Sequence, residues 1–111
     1  MSWKQVSDTL AVGPQITRSD ILALKAAGFR SIVCHRPDGE SADQPLFREI
    51  AEAAAKEGLE IRHQPVVAGR ITPEDATRFI ALLEELPAPT LAYCRSGARC
   101  TSLWSLGQAR R

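Results

Sequence analysis

Four short apolar segments, each followed by a segment with helical periodicity, restrict the fold of this chain more than any other feature. The strand-like segments lie at residues 9–12, 31–34, around 60–63 and 90–93. This alternation is typical of parallel sheets in which each strand is joined to the next through a helix. We therefore predict a three-layer α/β domain with a central, mainly parallel four-stranded sheet flanked by helices.

The helices between these strands are bounded by capping and breaking residues. A capping side chain accepts hydrogen bonds from the first free N–H groups of a helix, and glycine or proline ends the helical pattern. The residues with these roles are Thr17, Asp20, Gly28, Gly58, Thr72, Asp75, Pro87 and Pro89. The apolar face of the last helix continues to the end of the sequence. We therefore predict a single domain of residues 1–111 whose last helix is cut short.

The charge balance excludes two classes of partner. The chain of 111 residues carries 14 basic and 13 acidic residues, spread evenly, for a formal net charge of +1. Proteins that bind nucleic acid or an anionic membrane surface usually concentrate basic residues in a patch, so we expect neither partner. No apolar run could span a membrane, and the first residues lack the apolar stretch of a secretory signal. We expect a cytoplasmic protein.

The cysteines and histidines do not fit a disulfide framework or a zinc site. The cysteines are Cys34, Cys94 and Cys100, an odd number without the spacing of a secreted scaffold. His35 and His63 both lie far from any pair of cysteines with metal-binding spacing. We expect neither a metal nor an organic cofactor.

Cys94 stands where parallel α/β domains bind their ligands, at the carboxyl end of a strand. The loop of residues 94–99 then leads into the last helix. Successive backbone N–H groups in such a loop, together with the positive end of the helix dipole, bind anions and stabilise a thiolate. Cysteines at helix N-termini have pKa values lowered to about 3.5–7.5. We therefore predict that Cys94 is a nucleophile at neutral pH.

Arg99 is the second predicted catalytic residue. Its guanidinium can donate a fork of hydrogen bonds to an oxyanion of the substrate. The predicted anion-binding loop comprises Arg95, Ser96, Gly97, Ala98 and Cys100. The alternative is a buried structural cysteine flanked by solvated arginines. The order of apolar strand, Cys, Gly and Arg favours the catalytic role.

A Cys-to-Arg loop in front of a helix resembles both the cysteine-dependent phosphatases and the rhodanese sulfurtransferases. Over nearly the whole chain, segments 10–16, 34–40, 65–67 and 92–97 resemble the phosphatase-like domain of beta-lactamase hydrolase-like proteins. This resemblance implies the fold of dual-specificity phosphatases. Some members of that family are fused to a persulfide dioxygenase, so the resemblance also implies such an enzyme, fused or separate, as a partner in sulfide metabolism.

Two departures from the phosphatase pattern favour sulfur transfer. Phosphatases of this fold have five residues between Cys and Arg, whereas four separate Cys94 from Arg99 here. Cys100 occupies the expected Arg position, and the shorter loop resembles that of rhodaneses. Phosphatases also need a general acid, usually an Asp about thirty residues before the Cys. Residues 65–71 contain no Asp.

The leading interpretation from sequence is therefore a rhodanese-type sulfurtransferase that acts on a small anionic sulfur compound. The Cys94 thiolate would take the outer sulfur of thiosulfate or a low-molecular-weight persulfide, and an acceptor thiol would then take it from the Cys94 persulfide. The alternative is a phosphatase that hydrolyses phosphate monoesters through a phosphocysteine on Cys94. A third interpretation, from another class, is a non-catalytic anion-binding module.

The remaining candidate residues each have two open roles. Asp38 is the better candidate for a general acid if phosphatase chemistry occurs, and Arg36 is a candidate supporting residue beside it. Their loop, residues 36–40, is equally consistent with a tight turn. Asp75 fits the capping of a helix better than an acid role. Cys100 is either a resolving thiol or, more simply, a small residue on the helix face.

Overall fold

Five strands form one sheet in the computed structural model, which describes residues 2–110. They are β1 (Lys4–Gln5), β2 (Leu10–Gly13), β3 (Ser31–Cys34), β4 (Glu60–His63) and β5 (Thr90–Tyr93). A 3-10 turn at Arg18–Asp20 precedes the α-helices, which are α1 (Ile21–Ala26), α2 (Phe47–Lys56), α3 (Pro73–Glu85) and α4 (Ala98–Ala109). Within this described part of the chain, no helix is long and apolar enough to cross a membrane.

The sheet has the strand order β1-β2-β5-β3-β4, and every pair except β1 with β2 is parallel. Gly13 and Cys34 both pair with Tyr93, and His63 pairs with Cys34. The four parallel strands therefore end level with one another. The residues that follow them meet at one edge of the sheet, as the predicted α/β class requires.

Alternation of side chains along the strands builds one apolar layer on each face of the sheet. Ile32 and Leu91 cluster with buried residues of α1 and α2. Val33 and Ala92 cluster with buried residues of α3 and α4, and Cys94 belongs to this second cluster. Strands β2, β3 and β5 are buried at every residue because helices cover both faces. The predicted three-layer architecture is confirmed.

Threonine and aspartate side chains together form the predicted helix caps. The Thr72 N–H donates to Asp75 Oδ2 at 3.0 Å, and the Asp75 N–H donates to Thr72 Oγ1 at 3.1 Å, which together form the capping box of α3. The Thr17 N–H donates to Asp20 Oδ2 at 2.8 Å ahead of α1. Asp75 thus has the capping role that the sequence pattern favoured.

The prediction of four strands was incomplete, since β1 adds a fifth at the edge of the sheet. Its residues, Lys4 and Gln5, are exposed and polar, so no apolar alternation marks them. The strand exists because its backbone pairs with β2, Lys4 with Val12 and Gln5 with Ala11. The first predicted strand, residues 9–12, is also shifted by one residue relative to β2.

Gly107 allows α4 to pack closely against α3. A Cβ at this position would lie 2.5 Å from Ile80 Cγ1 and 3.1 Å from the Ala76 carbonyl oxygen. We expect Gly107→Ala to destabilise the fold by about 1–3 kcal/mol through overpacking, although alanine has the higher helix propensity. Thermal unfolding followed by circular dichroism measures the loss. Ser105→Ala, at an exposed position of α4, is the control, and an unchanged Tm for Gly107→Ala would contradict this packing.

Candidate active site

Cys94 follows β5 directly, at the edge of the sheet where the parallel strands end. The residue is 1% exposed. Its backbone N–H donates to the Gly13 carbonyl oxygen at 3.4 Å, which ties it to the end of β2. Because α4 begins four residues later at Ala98, the sulfur lies at the position that the sequence predicted, between the sheet and the first turn of a helix.

The loop between β5 and α4 turns at Gly97. This residue has a φ of 95°, a left-handed conformation that favours glycine. A Cβ at this position would lie 3.4 Å from the backbone carbon and oxygen of Gly13. Glycine therefore lets the loop close against the end of β2 and direct its N–H groups toward Cys94.

Hydrogen-bond donors converge on the sulfur of Cys94. The Gly97 N–H donates to Cys94 Sγ at 3.1 Å. The Cys100 thiol also donates to this sulfur, and it is the main reason that the pKa of Cys94 is lowered from 9.0 to about 5. Burial opposes the change, while the N–H groups of Cys100, Gly97 and Ser96 add to it. Cys94 is therefore a thiolate at neutral pH.

The other two cysteines keep their protons at neutral pH. Burial raises the pKa of Cys100 well above its usual value, and the hydrogen bond to Cys94 raises it further. Burial also raises the pKa of Cys34 to about 11, and its thiol donates to the Arg36 carbonyl oxygen at 3.4 Å. In the pair formed by Cys94 and Cys100, Cys94 thus carries the negative charge and Cys100 the proton.

Arg99 is buried in the first turn of α4 and held from one side by an acidic residue. Its Nη1 donates to Glu40 Oε2 and to the Val66 carbonyl oxygen, both at 2.9 Å. Its Nη2 donates to Glu40 Oε1 at 3.1 Å. Two parallel hydrogen bonds to one carboxylate fix the plane of a guanidinium. Arg99 is therefore preorganised at the cleft that Cys94 also lines.

Glu40 is the residue of this site that the sequence analysis missed. Besides its two bonds from Arg99, Glu40 Oε1 accepts from Arg36 Nε at 2.9 Å. Hydrogen bonds from Arg99, and then from Arg36, lower the pKa of Glu40. The sequence does place Glu40 four residues after Arg36. Its contact with Arg99, 59 positions away, arises only from the fold.

The structure separates the two loop residues predicted beside the site. Arg36 is buried and belongs to the network around Glu40, with Nη1 donating to Gln15 Oε1 at 3.0 Å. Asp38 Oδ1 instead accepts from the Phe47 N–H at 2.8 Å, at the start of α2, and Asp38 does not line the cleft. Arg36 therefore supports the position of Arg99 through Glu40, and a role for Asp38 as an acid stays a prediction.

The predicted anion-binding loop lines a cleft of about 660 Å³. Arg95, Ser96 and Ala98 are exposed and face this cleft, whereas Gly97 and Cys100 are buried behind it. The remaining wall includes apolar groups of residues 67–69 and 71. Among residues 2–110, no group of three His, Cys, Asp or Glu side chains is placed to hold a metal ion.

The hydrogen bond from Cys100 gives a testable titration of Cys94. Alkylation by iodoacetamide requires the thiolate, so its rate should be half-maximal near pH 5 and constant above about pH 7. Cys100→Ala removes the donor and should raise this midpoint by about 1–2 units, the equivalent of one hydrogen bond to a charged group. Intact-protein mass spectrometry measures the rate at each pH. Cys100→Ser, which keeps a donor, is the control; a midpoint that is the same in all three proteins would contradict the hydrogen bond.

Sequence comparison identifies a matching family and named relatives of this chain. The family model described as "Beta-lactamase hydrolase-like protein, phosphatase-like domain" matches residues 2–111. The Beta-lactamase hydrolase-like protein of Agrobacterium fabrum is 33% identical over 105 residues, which are 95% of this chain and 24% of the relative. Its namesake from Xylella fastidiosa is 30% identical over 103 residues, which are 93% of this chain and 24% of the relative. The chain thus spans about a quarter of the length of these curated relatives.

Solved structures share the fold of this chain. The crystal structure of a candidate phosphatase from Neisseria meningitidis aligns with a TM-score of 0.92 and 35% identity, over 98% of this chain and 78% of that one. The core catalytic domain of a PP-IP phosphatase from S. cerevisiae aligns with a TM-score of 0.73 over 97% of this chain and 64% of that one. At 14% identity, this second likeness shows the fold alone. The predicted fold of dual-specificity phosphatases is confirmed.

The comparisons bear differently on the two catalytic interpretations. The family description and both structures named above refer to phosphatases. None of the relatives named here is called a sulfurtransferase. The comparisons therefore favour the phosphatase interpretation, which the sequence analysis had placed second, over the sulfur-transfer interpretation that it had placed first.

Proposed function

We propose that this chain, which belongs to the family of the phosphatase-like domain of beta-lactamase hydrolase-like proteins, is a cysteine-dependent phosphatase. It hydrolyses phosphate monoesters through a phosphocysteine formed on Cys94. The observation that carries the proposal is the Cys94 thiolate, with its pKa lowered to about 5, inside a loop of N–H donors. The phosphatases among its structural neighbours support the same conclusion.

In the first step, the Cys94 thiolate attacks the phosphorus atom of the ester. A sulfur–phosphorus bond forms, and the bond to the leaving oxygen breaks. The N–H groups of the loop and the N-terminus of α4 are the donors available to the phosphoryl oxygens. The guanidinium of Arg99, fixed by Glu40, adds a positive charge where negative charge accumulates.

In the second step, water attacks the phosphorus atom of the phosphocysteine. The sulfur–phosphorus bond breaks, Cys94 leaves as a thiolate, and inorganic phosphate carries away the two protons of the water. The donors that lower the pKa of Cys94 also make its thiolate a good leaving group. The same contacts therefore serve both halves of the reaction.

Sulfur transfer is the second candidate function because one specific observation favours it. Four residues separate Cys94 from Arg99, one fewer than in phosphatases of this fold. A shorter loop suits a terminal sulfur atom better than a whole phosphate group. The sulfur donor, the acceptor thiol and a persulfide dioxygenase partner stay predictions that belong to this candidate alone.

Intact-protein mass spectrometry separates the two candidates. One sample receives 4-nitrophenyl phosphate and is quenched in acid, and another receives thiosulfate or glutathione persulfide. We expect phosphate release and an adduct with the mass of one phosphoryl group, both absent from Cys94→Ser. The gain of one sulfur atom on Cys94, without release of phosphate in the first sample, would overturn the phosphatase and establish sulfur transfer.

A further inference from the structure

Among residues 2–110, one carboxylate lines the cleft beside Cys94, that of Glu40. This carboxylate is not free to donate a proton. Glu40 Oε1 accepts from Arg36 and Arg99, and Glu40 Oε2 accepts from Arg99. These guanidinium groups lower the pKa of Glu40, so it is ionised at the pH at which the Cys94 thiolate exists. The hydroxyls of Ser96 and Ser102, which also line the cleft, are too weakly acidic to replace it.

Four other acidic and imidazole groups near this edge of the sheet are engaged elsewhere. The carboxylates of Asp38 and Asp75 accept backbone N–H groups at the starts of α2 and α3. His63 contacts a backbone carbonyl oxygen through Nε2 at 2.9 Å. His35 is fully buried, and burial lowers its pKa to about 4. None of these four residues lines the cleft.

The wall of the cleft formed by residues 67–69 and 71 is apolar. Val67, Ala68, Gly69 and Ile71 line it. Val67 is 54% exposed although its side chain is hydrophobic. An aromatic ring placed against this wall would remove apolar surface of both partners from water. The leaving group that fits here is therefore apolar.

Resting on the phosphatase function proposed above, we infer that the site takes phosphate esters of apolar, weakly basic leaving groups, such as acidic phenols, and discriminates against phosphotyrosine and phosphoserine. A positioned general acid accelerates departure of a basic leaving group by about 10²–10⁴-fold. A cleft without one acts only where the leaving oxygen is stable as an anion. The specificity then follows from the basicity of the leaving group.

The reaction balances without a proton donor in its first step. The Cys94 thiolate supplies the electron pair of the new sulfur–phosphorus bond. The electron pair of the broken phosphorus–oxygen bond stays on the leaving group, which departs as a phenolate and takes its proton later from water. In the second step, both protons of the attacking water leave with the inorganic phosphate, and Cys94 returns as a thiolate.

A series of aryl phosphates tests this inference on the intact protein. The substrates are 4-nitrophenyl, 4-cyanophenyl, 4-chlorophenyl and phenyl phosphate, followed by phosphotyrosine and phosphoserine. We expect kcat/KM to fall by up to about tenfold for each unit by which the pKa of the leaving phenol rises, and phosphoserine not to be hydrolysed. Similar kcat/KM values across the series would overturn the inference while leaving the phosphatase function in place. If no member releases phosphate in a Cys94-dependent way, both proposals fail.

Glu40→Gln separates a proton donor from a residue that positions Arg99. Because Glu40 holds the guanidinium of Arg99, we expect this variant to lower kcat/KM by the same factor for every aryl phosphate. The dependence on leaving-group basicity then keeps its slope. A variant that loses activity only on the basic phenols, with a steeper slope, would show that Glu40 is the acid and would overturn the inference.

Val67→Ser tests the apolar wall. We expect the KM for 4-nitrophenyl phosphate to rise severalfold, because the ring loses an apolar partner. Acetyl phosphate also has a weakly basic leaving group but carries no ring, so its KM should not change. Equal effects on the two substrates would contradict contact between the leaving group and this wall.

Discussion

Cys94→Ser should lower kcat for 4-nitrophenyl phosphate by at least about a thousandfold, because loss of a nucleophile removes the covalent pathway. A serine hydroxyl would receive the same N–H groups, but its pKa lies far above that of the thiol, so it would stay protonated at neutral pH. Steady-state release of 4-nitrophenol measures the loss. The phosphoryl adduct should disappear from the mass spectrum of the same variant.

Cys34→Ser is the matched control for this experiment. Cys34 is also buried at the end of a strand, but burial raises its pKa to about 11. A serine there can donate to the Arg36 carbonyl oxygen, as the thiol does. We expect this variant to keep near wild-type activity. An active and folded Cys94→Ser protein would contradict the assignment of the nucleophile.

The fold was predictable from sequence where burial leaves a local pattern. The buried strands β3 and β5 have the predicted bounds, 31–34 and 90–93, because helices on both faces require continuous apolar runs. The capping box at Thr72 bounds α3 for a similarly local reason. Strand β1 was not predicted because its two exposed residues form a strand through backbone pairing with β2, which does not depend on side-chain type.

Only those residues of the site that lie in one continuous segment were predictable from the sequence. Cys94 and Arg99 lie in one continuous loop and first turn, so position and residue type were enough to nominate them. Glu40 and the Val66 carbonyl oxygen reach Arg99 from other loops. A contact made by a backbone carbonyl oxygen does not depend on residue type, so the sequence does not reveal it. The contact of Glu40 with Arg99 depends on how loop 36–40 lies against α4.

The sequence ranking of the two functions rested on the number of residues between Cys94 and Arg99. The structure adds a reason why this spacing alone is a weak guide. Cys100, the next residue along, donates to the Cys94 sulfur from the first turn of α4. A loop shortened by one residue thus still supplies the thiolate with a side-chain donor. The activation of the nucleophile is therefore kept despite the shorter spacing.

Arg99→Ala should lower kcat/KM for 4-nitrophenyl phosphate by about a hundredfold to a thousandfold, the usual effect of removing one preorganised donor from an oxyanion site. The Val66 carbonyl oxygen would also lose its partner, and Glu40 would keep only its hydrogen bond from Arg36. Arg99→Lys keeps the positive charge but not the fork that binds the carboxylate through two nitrogens. We expect it to recover only part of the loss, since the amine cannot keep the fixed plane.

Arg95→Ala is the control variant for the Arg99→Ala experiment. Both arginines line the cleft, but Arg95 is exposed whereas Arg99 is buried and held by Glu40. An exposed charge attracts an anionic substrate through solvent and is screened by salt, so Arg95→Ala should mainly raise KM, and less so at high ionic strength. A buried, fixed guanidinium acts on the charge that develops during reaction, so Arg99→Ala should mainly lower kcat. Equal effects of the two substitutions on KM, with kcat unchanged, would show that Arg99 only binds substrate and would contradict its catalytic role.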